Sequence, residues 1–86
     1  MIRVIDIETT GIDPASDAII EIASVDMVRG GGITNAMDTL VRPGKPIPPG
    51  ASAVHHIVDE DVANAPQLSD VIDRFRGADF YLTTST

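Results

Sequence analysis

The sequence contains no cysteine and only two histidines in its 86 residues. Without cysteine the chain has neither disulfides nor thiolate metal sites. Because histidine is so scarce, carboxylates are the only side chains from which a set of several metal ligands could be built. We therefore expect any metal site in this chain to be made of oxygen ligands.

Basic residues are scarce as well, with six Lys and Arg against thirteen Asp and Glu, for a formal net charge of −7. This composition argues against nucleic-acid binding, because phosphate affinity normally comes from Lys and Arg side chains that displace counterions. Divalent cations held by acidic side chains would answer part of this objection, since they place positive charge where a phosphate must bind.

Long apolar runs are absent, and no segment reaches the length needed to span a membrane. The 43% of hydrophobic residues is nevertheless enough for a globular fold. The first three residues lead directly into a strand pattern, without the regions of a secretory signal. We expect a soluble cytoplasmic protein without a membrane partner, forming one domain over residues 1–86 with no internal boundary.

Apolar alternation predicts three strands in the first half of the chain, at Arg3–Ile7, Ala18–Val28 and Ile33–Val41. A loop over Gly11–Asp17 joins the first two strands. The run Gly30–Gly32 predicts a hairpin turn between the second and third, because glycine tolerates positive φ. Together these elements predict an antiparallel meander.

The middle of the chain predicts short helices. The segment Arg42–Gly50 is rich in proline, so we expect an extended connection that does not enter a helix. A rigid linker is favoured there over a peptide-docking polyproline stretch. A helical turn is predicted over Ala51–Ile57, and Asp59 is expected to cap a second helix that starts at Glu60.

A clearer amphipathic helix is predicted to start with Pro66 at its first position and to stop at Gly77. Its apolar residues follow helical spacing: Leu68, Val71, Ile72 and Phe75. A fourth short strand is predicted over Ala78–Thr83. The fold class is therefore α/β.

Two acids are set two residues apart in the first strand, Asp6 and Glu8. Side chains at i and i+2 of a strand leave the same face, roughly 7 Å apart, so the two carboxylates point the same way. They stay ionised together in an apolar strand only if a cation or a cationic partner lies between them, and Mg²⁺ or Mn²⁺ prefers such oxygen ligands. The spacing alone also suits a strand end with both acids in solvent.

The residues that follow the two acids, Thr9-Thr10-Gly11, complete a D-x-E-T-T-G motif. It resembles the first motif of the DEDD-type, DnaQ-like 3′→5′ exonucleases, the family that includes exodeoxyribonuclease X and the epsilon subunit of bacterial DNA polymerase III. Further segments are similar to this family in the same order: Ile20–Ala23 with Val25, Val41–Gly44 with Pro46–Pro48, Val54–Ile57, Asp61-Val62 and Ala65-Pro66.

The resemblance implies a ribonuclease H-like fold and a two-metal mechanism in which Asp6 and Glu8 are catalytic and bind Mg²⁺ or Mn²⁺. It further implies that Asp6 bridges the two metals. Thr9 and Thr10 would bind substrate, with backbone around Glu8 and Thr9 holding the terminal 3′ hydroxyl. Val54 and His55 would pack on the last nucleotide of a DNA 3′ end, expected to be single-stranded.

The family's acid set has four members, of which these 86 residues hold two, and the family's general-base histidine has no counterpart here. The resemblance therefore implies the N-terminal half of an exonuclease domain, a truncated fold that is inactive alone. The alternative is a non-catalytic unit that self-associates through exposed sheet surface, as a homo-oligomer, or binds a nucleotide weakly.

Two other groups of polar residues could look like ligands. His55 and His56 are adjacent on a turn, where side chains diverge, so we expect one exposed and one packed or substrate-facing ring. The acidic run Asp59–Asp61 is favoured as a solvated helix start over a metal cluster, because acids are stabilised at that end of the helix dipole.

Overall fold

The computed structural model describes residues 1–11, 13, 15–76 and 79–84, the last of these as backbone only. The elements in chain order are strands β1 (Ile2–Thr9), β2 (Ile19–Met27) and β3 (Ile33–Leu40), helices α1 (Pro49–His55), α2 (Asp59–Val62) and α3 (Leu68–Val71), a 3-10 helix (Ile72–Phe75), and strand β4 (Asp79–Thr84).

The four strands form one sheet in the order β3-β2-β1-β4. The pairs β1–β2 and β2–β3 are antiparallel, so the predicted meander is confirmed. The turn between β2 and β3 holds Gly30 and Gly31 at φ of 97° and 89°, as the glycine run predicted. Strand β4 lies parallel to β1 at the other side of the sheet, and its observed bounds are one residue later than predicted.

Burial alternates strictly along β2, with Ile20, Ile22, Ser24 and Asp26 on the buried face. Ile22 belongs to one apolar cluster, which joins β1 to the last helical segment and contains Ile5, Ile22, Val41, Val71 and Phe75. Ile20 belongs to a second cluster with Ile47 and Val62, which lies under α1 and α2. The helices therefore pack on one face of the sheet.

The predicted helix after Pro66 has the right apolar residues but the wrong start. Helix α3 begins at Leu68, because Gln67 is extended (φ −75°, ψ 155°) and the Pro66 carbonyl accepts a hydrogen bond from the Arg42 backbone N–H at 2.8 Å. The end of the segment is a 3-10 helix rather than a continued α-helix. Gly77 and Ala78, predicted to stop the helix and begin the strand, lie outside the described residues.

Two predictions about the middle segment are wrong. Helix α1 starts at Pro49, inside the connection expected to stay extended, because proline at the first helical position loses no helical hydrogen bond. Asp59 is the first residue of α2 and does not cap it. Instead its carboxylate accepts the Ile47 backbone N–H at 2.8 Å, while Asp61 accepts the Val58 N–H at 3.0 Å.

An ion pair on the buried face of the sheet joins β1 to β2. The Arg3 guanidinium donates to both carboxylate oxygens of Asp26, at 2.7 and 3.1 Å, and also to the Arg76 carbonyl at 2.9 Å. The Asn35 amide donates to Asp26 as well, at 2.9 Å. The Arg3 and Asn35 bonds lower the pKa of Asp26 to about 2. This pair was not predicted from the sequence.

Among the helices of the described part of the chain, none has the length and apolar character that crossing a membrane requires.

Candidate metal and substrate site

Asp6 and Glu8 lie on the same face of β1, as their spacing predicted. Between them, Ile7 packs against the core cluster that contains Ile5, so the alternation of β1 separates apolar from acidic side chains. Both acids are half-buried. Their face is opposite to the one on which the helices pack, and it carries a shallow pocket lined by Val4, Asp6, Ala23, Ser24 and Val25.

Strand pairing brings further acids onto this face. Glu21 of β2 is directly opposite Glu8, and Asp38 of β3 is opposite Ala23, the partner of Asp6. Burial raises the pKa of Glu21, and the carboxylates of Asp38, Glu8 and Asp6 raise it further. Negative charge is therefore concentrated at the Glu8 end of the sheet.

Glu21 and Asp38 were not identified from the sequence as part of this site. The signal that could have located Glu21 is the alternation of β2, because it places Glu21 opposite to the buried Ile20 and Ile22. The register that brings it against Glu8 depends on the loop between β1 and β2, and the apolar pattern does not specify that register.

The carboxylates of Asp6 and Glu8 are the type of ligand that a divalent cation such as Mg²⁺ or Mn²⁺ prefers. They provide oxygen donors, and the Oε2 atom of Glu8 is buried with no hydrogen-bond partner among the described residues. A buried carboxylate oxygen left in this state is costly unless a cation or donor reaches it. Over the described ranges, however, no group of three or more Asp, Glu or His side chains is arranged around one point. Asp6 and Glu8 are therefore two candidate oxygen ligands and not a complete metal site in the described part of the chain.

Thr9 is the last residue of β1 and Thr10 follows it, and the hydroxyls of both form hydrogen bonds within the protein. The Thr9 hydroxyl donates to the Gly11 carbonyl. Thr10 is only 2% exposed, and its hydroxyl donates to Asp17 at 2.9 Å and accepts the Ala18 N–H at 2.9 Å. The Thr10 side chain is therefore occupied inside the β1–β2 loop. A substrate contact at this position would have to come from the backbone.

Val54 and His55 form the last turn of α1. Val54 is 59% exposed, whereas His55 is half-buried with Nδ1 accepting the Ile57 N–H at 3.1 Å. The Nε2 atom of His55 is buried and has no hydrogen-bond partner in the described part of the chain. His56 is exposed at φ 63°, so the expectation of one packed and one exposed histidine is confirmed. The acids of α2 are exposed, as expected for a helix start.

The first turn of α1 lies at the end of the sheet where Glu8 and Thr9 are found. Ala51 of α1 packs against the cluster that contains Ile20. The residues on either side of Ile20 pair with the end of β1, Ile19 with Thr9 and Glu21 with Glu8. The structure therefore places the predicted nucleotide-contacting helix at the same end of the sheet as Glu8 and Thr9, on the face opposite to the two carboxylates.

The chain resembles known proteins in sequence and in fold. The Exonuclease family model matches residues 4–78. Exodeoxyribonuclease 10 of Escherichia coli (strain K12) is 45% identical over 82 residues, which are 95% of this chain and 36% of the relative. The DNA polymerase III subunit epsilon-like protein of Rhodobacter capsulatus is 46% identical over 74 residues, 84% of this chain and 10% of that protein.

A solved structure of "Exonuclease X in complex with 5′ overhanging duplex DNA" matches with a TM-score of 0.86 and 44% identity, covering 96% of this chain and 48% of that one. This likeness confirms the predicted α/β architecture of the ribonuclease H-like exonucleases. The chain spans less than half of each of these relatives.

Proposed function

Because this chain belongs to the exonuclease family, we propose that it provides the first two metal-binding carboxylates of a 3′→5′ exonuclease acting on DNA. The observation that carries the proposal is the face of β1 that the helices do not cover. The Asp6 and Glu8 side chains both project from this face, and the buried Oε2 atom of Glu8 has no hydrogen-bond partner among the described residues. On this view residues 1–86 are part of a single exonuclease domain, located in the cytoplasm with its DNA substrate.

Asp6 and Glu8 would hold Mg²⁺ or Mn²⁺, which supplies Lewis-acid charge to a phosphate and its attacking water when bound. The acid-rich face would repel a phosphodiester by itself, because Glu21 and Asp38 add their charge to that of Glu8. Substrate binding at this face is therefore expected to depend on the divalent cation.

The remaining contacts of the proposed site come from the end of β1 and from α1. Backbone around Glu8 and Thr9 would meet the terminal 3′ hydroxyl. The exposed Val54 side chain offers an apolar surface for the last base or sugar. The Ile57 N–H fixes the ring of His55 through Nδ1, which in the neutral ring leaves the proton on Nε2. Thr10 would act through its backbone.

DNA is the favoured substrate because a solved structure that is 44% identical to this chain, with a TM-score of 0.86, is a complex with DNA. A single-stranded 3′ end is proposed over a duplex end, because a terminal base would have to be unpaired to lie against the exposed Val54 side chain. Among the described residues no third ligand is grouped with the two carboxylates, too few for a two-metal site, so the 86 residues alone are proposed to be inactive.

Fluorescence anisotropy with a 5′-labelled single strand tests this proposal. We expect Mn²⁺-dependent binding by the 86-residue chain that favours a free 3′ hydroxyl over a 3′ phosphate, and loss of that binding in Asp6→Asn and Glu8→Gln. The exposed Asp73→Asn is the matched control. Binding that ignores both the cation and the 3′ group would contradict the proposal.

The proposed inactivity has its own test with a 3′-labelled strand. We expect no nucleotide release by the wild-type chain in either Mg²⁺ or Mn²⁺. Release that disappears in Asp6→Ala would show that the two carboxylates are sufficient and would overturn this part of the proposal.

A second candidate function, self-association, rests on a row of apolar side chains at the opposite end of the sheet. Ile2, Met27 and Ile33 are cross-strand neighbours and are 40%, 45% and 68% exposed. Met1 and Val28 adjoin this row at 62% and 38% exposed. A second copy of the chain is the proposed occupant, because a continuous three-strand apolar row is able to pack on its own twofold-related copy.

Light scattering across a range of concentrations tests self-association. We expect a dimer that is abolished by Ile33→Lys and unaffected by Val58→Lys, an exposed valine away from the row. A monomer at all concentrations would exclude this second candidate without affecting the first.

A further inference from the structure

Asp17 is the centre of a hydrogen-bond network in the β1–β2 loop, next to the end of β1. Its Oδ1 atom accepts the Thr10 hydroxyl at 2.9 Å, and its Oδ2 atom accepts the Asp13 backbone N–H at 2.8 Å. Backbone bonds reinforce this closure, with the Thr10 N–H donating to the Ala18 carbonyl at 2.9 Å. The Asp17 carboxylate thus closes the β1–β2 loop onto Thr10, the first residue after β1.

Gly11, the last residue of the D-x-E-T-T-G motif, makes room for this carboxylate. A Cβ atom at Gly11 would lie 2.5 Å from Asp17 Oδ2 and 2.8 Å from its Cγ, closer than nonbonded atoms approach. The glycine therefore has a steric reason to be present: any side chain at position 11 would displace Asp17.

Lys45 extends the network to the segment that leads into α1. Its ammonium group donates to the Ser16 carbonyl at 2.8 Å and lies 3.4 Å from Asp17 Oδ1. The Lys45 side chain is 37% exposed and the Asp17 side chain 17%. Four residues after Lys45, α1 begins at Pro49. The network therefore connects the end of β1 with the approach to α1.

We infer that Asp17 is a positioning residue that fixes the end of β1 relative to α1, and so aligns the two segments proposed to contact the 3′-terminal nucleotide. The geometric part of this inference rests on the Thr10, Gly11 and Lys45 contacts alone. Its consequence for substrate binding rests on the proposed function. The Asp13 N–H and the Thr10 hydroxyl lower the pKa of Asp17, which keeps its carboxylate charged over a wide pH range.

Amide hydrogen exchange tests the geometric part without any ligand. Asp17→Asn keeps the shape of the side chain but leaves one acceptor oxygen where the carboxylate uses two. We expect faster exchange of the Thr10 amide and also of the α1 amides of Ser52 and His56, by about fivefold or more, with the Asp70 amide of α3 unchanged. Ser52, His56 and Asp70 donate backbone hydrogen bonds within or beside their helices, so their exchange reports on those helices.

Conservative variants separate positioning from loss of packing. Thr10→Val removes the hydroxyl at nearly constant volume and is expected to reproduce Asp17→Asn, whereas Thr10→Ser restores slow exchange. Lys45→Met is expected to release the α1 amides while leaving Thr10 protected, and Lys45→Arg is expected to restore them. Acceleration confined to residues 13–18, or equal acceleration throughout the chain, would overturn the inference.

The functional part uses Mn²⁺-dependent binding of the 5′-labelled strand. We expect Asp17→Asn to weaken binding about fivefold or more relative to wild type. Ile22→Val, a core variant on the other face of the sheet, is expected to leave binding unchanged. If the wild-type chain fails to bind the strand while the exchange coupling is present, it is the proposed function that fails and the positioning role that stands.

Discussion

At the scale of single residues, carboxylates have opposite roles on the two faces of this sheet. Asp26 on the buried face is neutralised by Arg3 and supported by Asn35, so its charge is held in the folded state. Glu21 on the other face lies against Glu8 and near Asp38, with burial and repulsion both acting against its charge. The first face uses a carboxylate for stability, and the second concentrates carboxylates that a cation could use.

The buried pair predicts an acid-sensitive fold. The pKa of Asp26 falls from 3.8 to about 2 on folding, so the native state binds fewer protons than the unfolded state in this range. The stabilisation is present above pH 3.8 and is lost as the pH falls through about 2. Urea unfolding at several pH values measures this, and Asp26→Asn is expected to be less stable at pH 7 with a shallower loss between pH 4 and pH 2. A slope unchanged in Asp26→Asn would show that Arg3 does not hold this carboxylate.

Repulsion at the acid-rich face predicts a stabilising substitution. Like charges directly opposite each other on neighbouring strands are destabilising, and Glu21 faces Glu8 in this way. Glu21→Gln is therefore expected to raise the free energy of unfolding by about 0.2–1 kcal/mol without added metal. Denaturant unfolding measures the change, with the exposed Glu60→Gln of α2 as a control that should not be stabilising. If the Glu21→Gln variant is less stable than the wild type, the negative charge of Glu21 must be stabilised by a cationic group, which would contradict this account.

At the scale of elements, the sequence pattern predicted the strands well but did not predict where the helices start. The alternation in β1 correctly predicted that Asp6 and Glu8 share a face, because a half-buried strand has only one way to bury its apolar residues. The predicted starts of α2 and α3 were wrong because hydrogen bonds with residues distant in sequence occupy the groups at those positions, whereas α1 starts early because proline is favourable at the first helical position. Asp59 bonds Ile47 and the Pro66 carbonyl bonds Arg42, and no local sequence signal shows these contacts.

The candidate site divides in the same way. The spacing of Asp6 and Glu8 placed both on one face, as found. The opposition of Glu21 and Glu8, and the Thr10–Asp17–Lys45 network, depend on strand register and on loop closure. Those features arise from the tertiary fold, so they could not be predicted from the local sequence of any one segment.

The sheet core offers a matched test of the element assignments. Ile22 of β2 is 2% exposed within the cluster that joins the sheet to α3, while Ile33 of β3 is 68% exposed. Ile22→Val is expected to lower the free energy of unfolding by about 0.5–1.5 kcal/mol through a lost methylene and a small cavity. Ile33→Val should change it by less than about 0.5 kcal/mol. Equal effects in chemical denaturation would mean that the two faces of the β2–β3 hairpin are wrongly assigned.

At the scale of the whole molecule, the two ends of the sheet differ in chemistry. At one end of the sheet lie the acidic side chains, the last residues of β1 and helix α1. At the other end the apolar row of Ile2, Met27 and Ile33 is exposed. On the proposed function, the first end is part of a nuclease site, and the net charge of −7 would make a cation necessary for a phosphate to approach it. Binding of a divalent cation to Asp6 and Glu8 is thus the central claim.

Thermal unfolding in a Mn²⁺ titration tests that claim most directly. A ligand that binds only the folded state stabilises it, so a cation at about ten times its dissociation constant should raise the melting temperature by about 5–10 °C for a domain of this size. We predict this rise for the wild type and for Asp73→Asn, and its loss in both Asp6→Asn and Glu8→Gln. A melting temperature that Mn²⁺ leaves unchanged, or raises equally in all four proteins, would contradict the assignment of Asp6 and Glu8 as metal ligands.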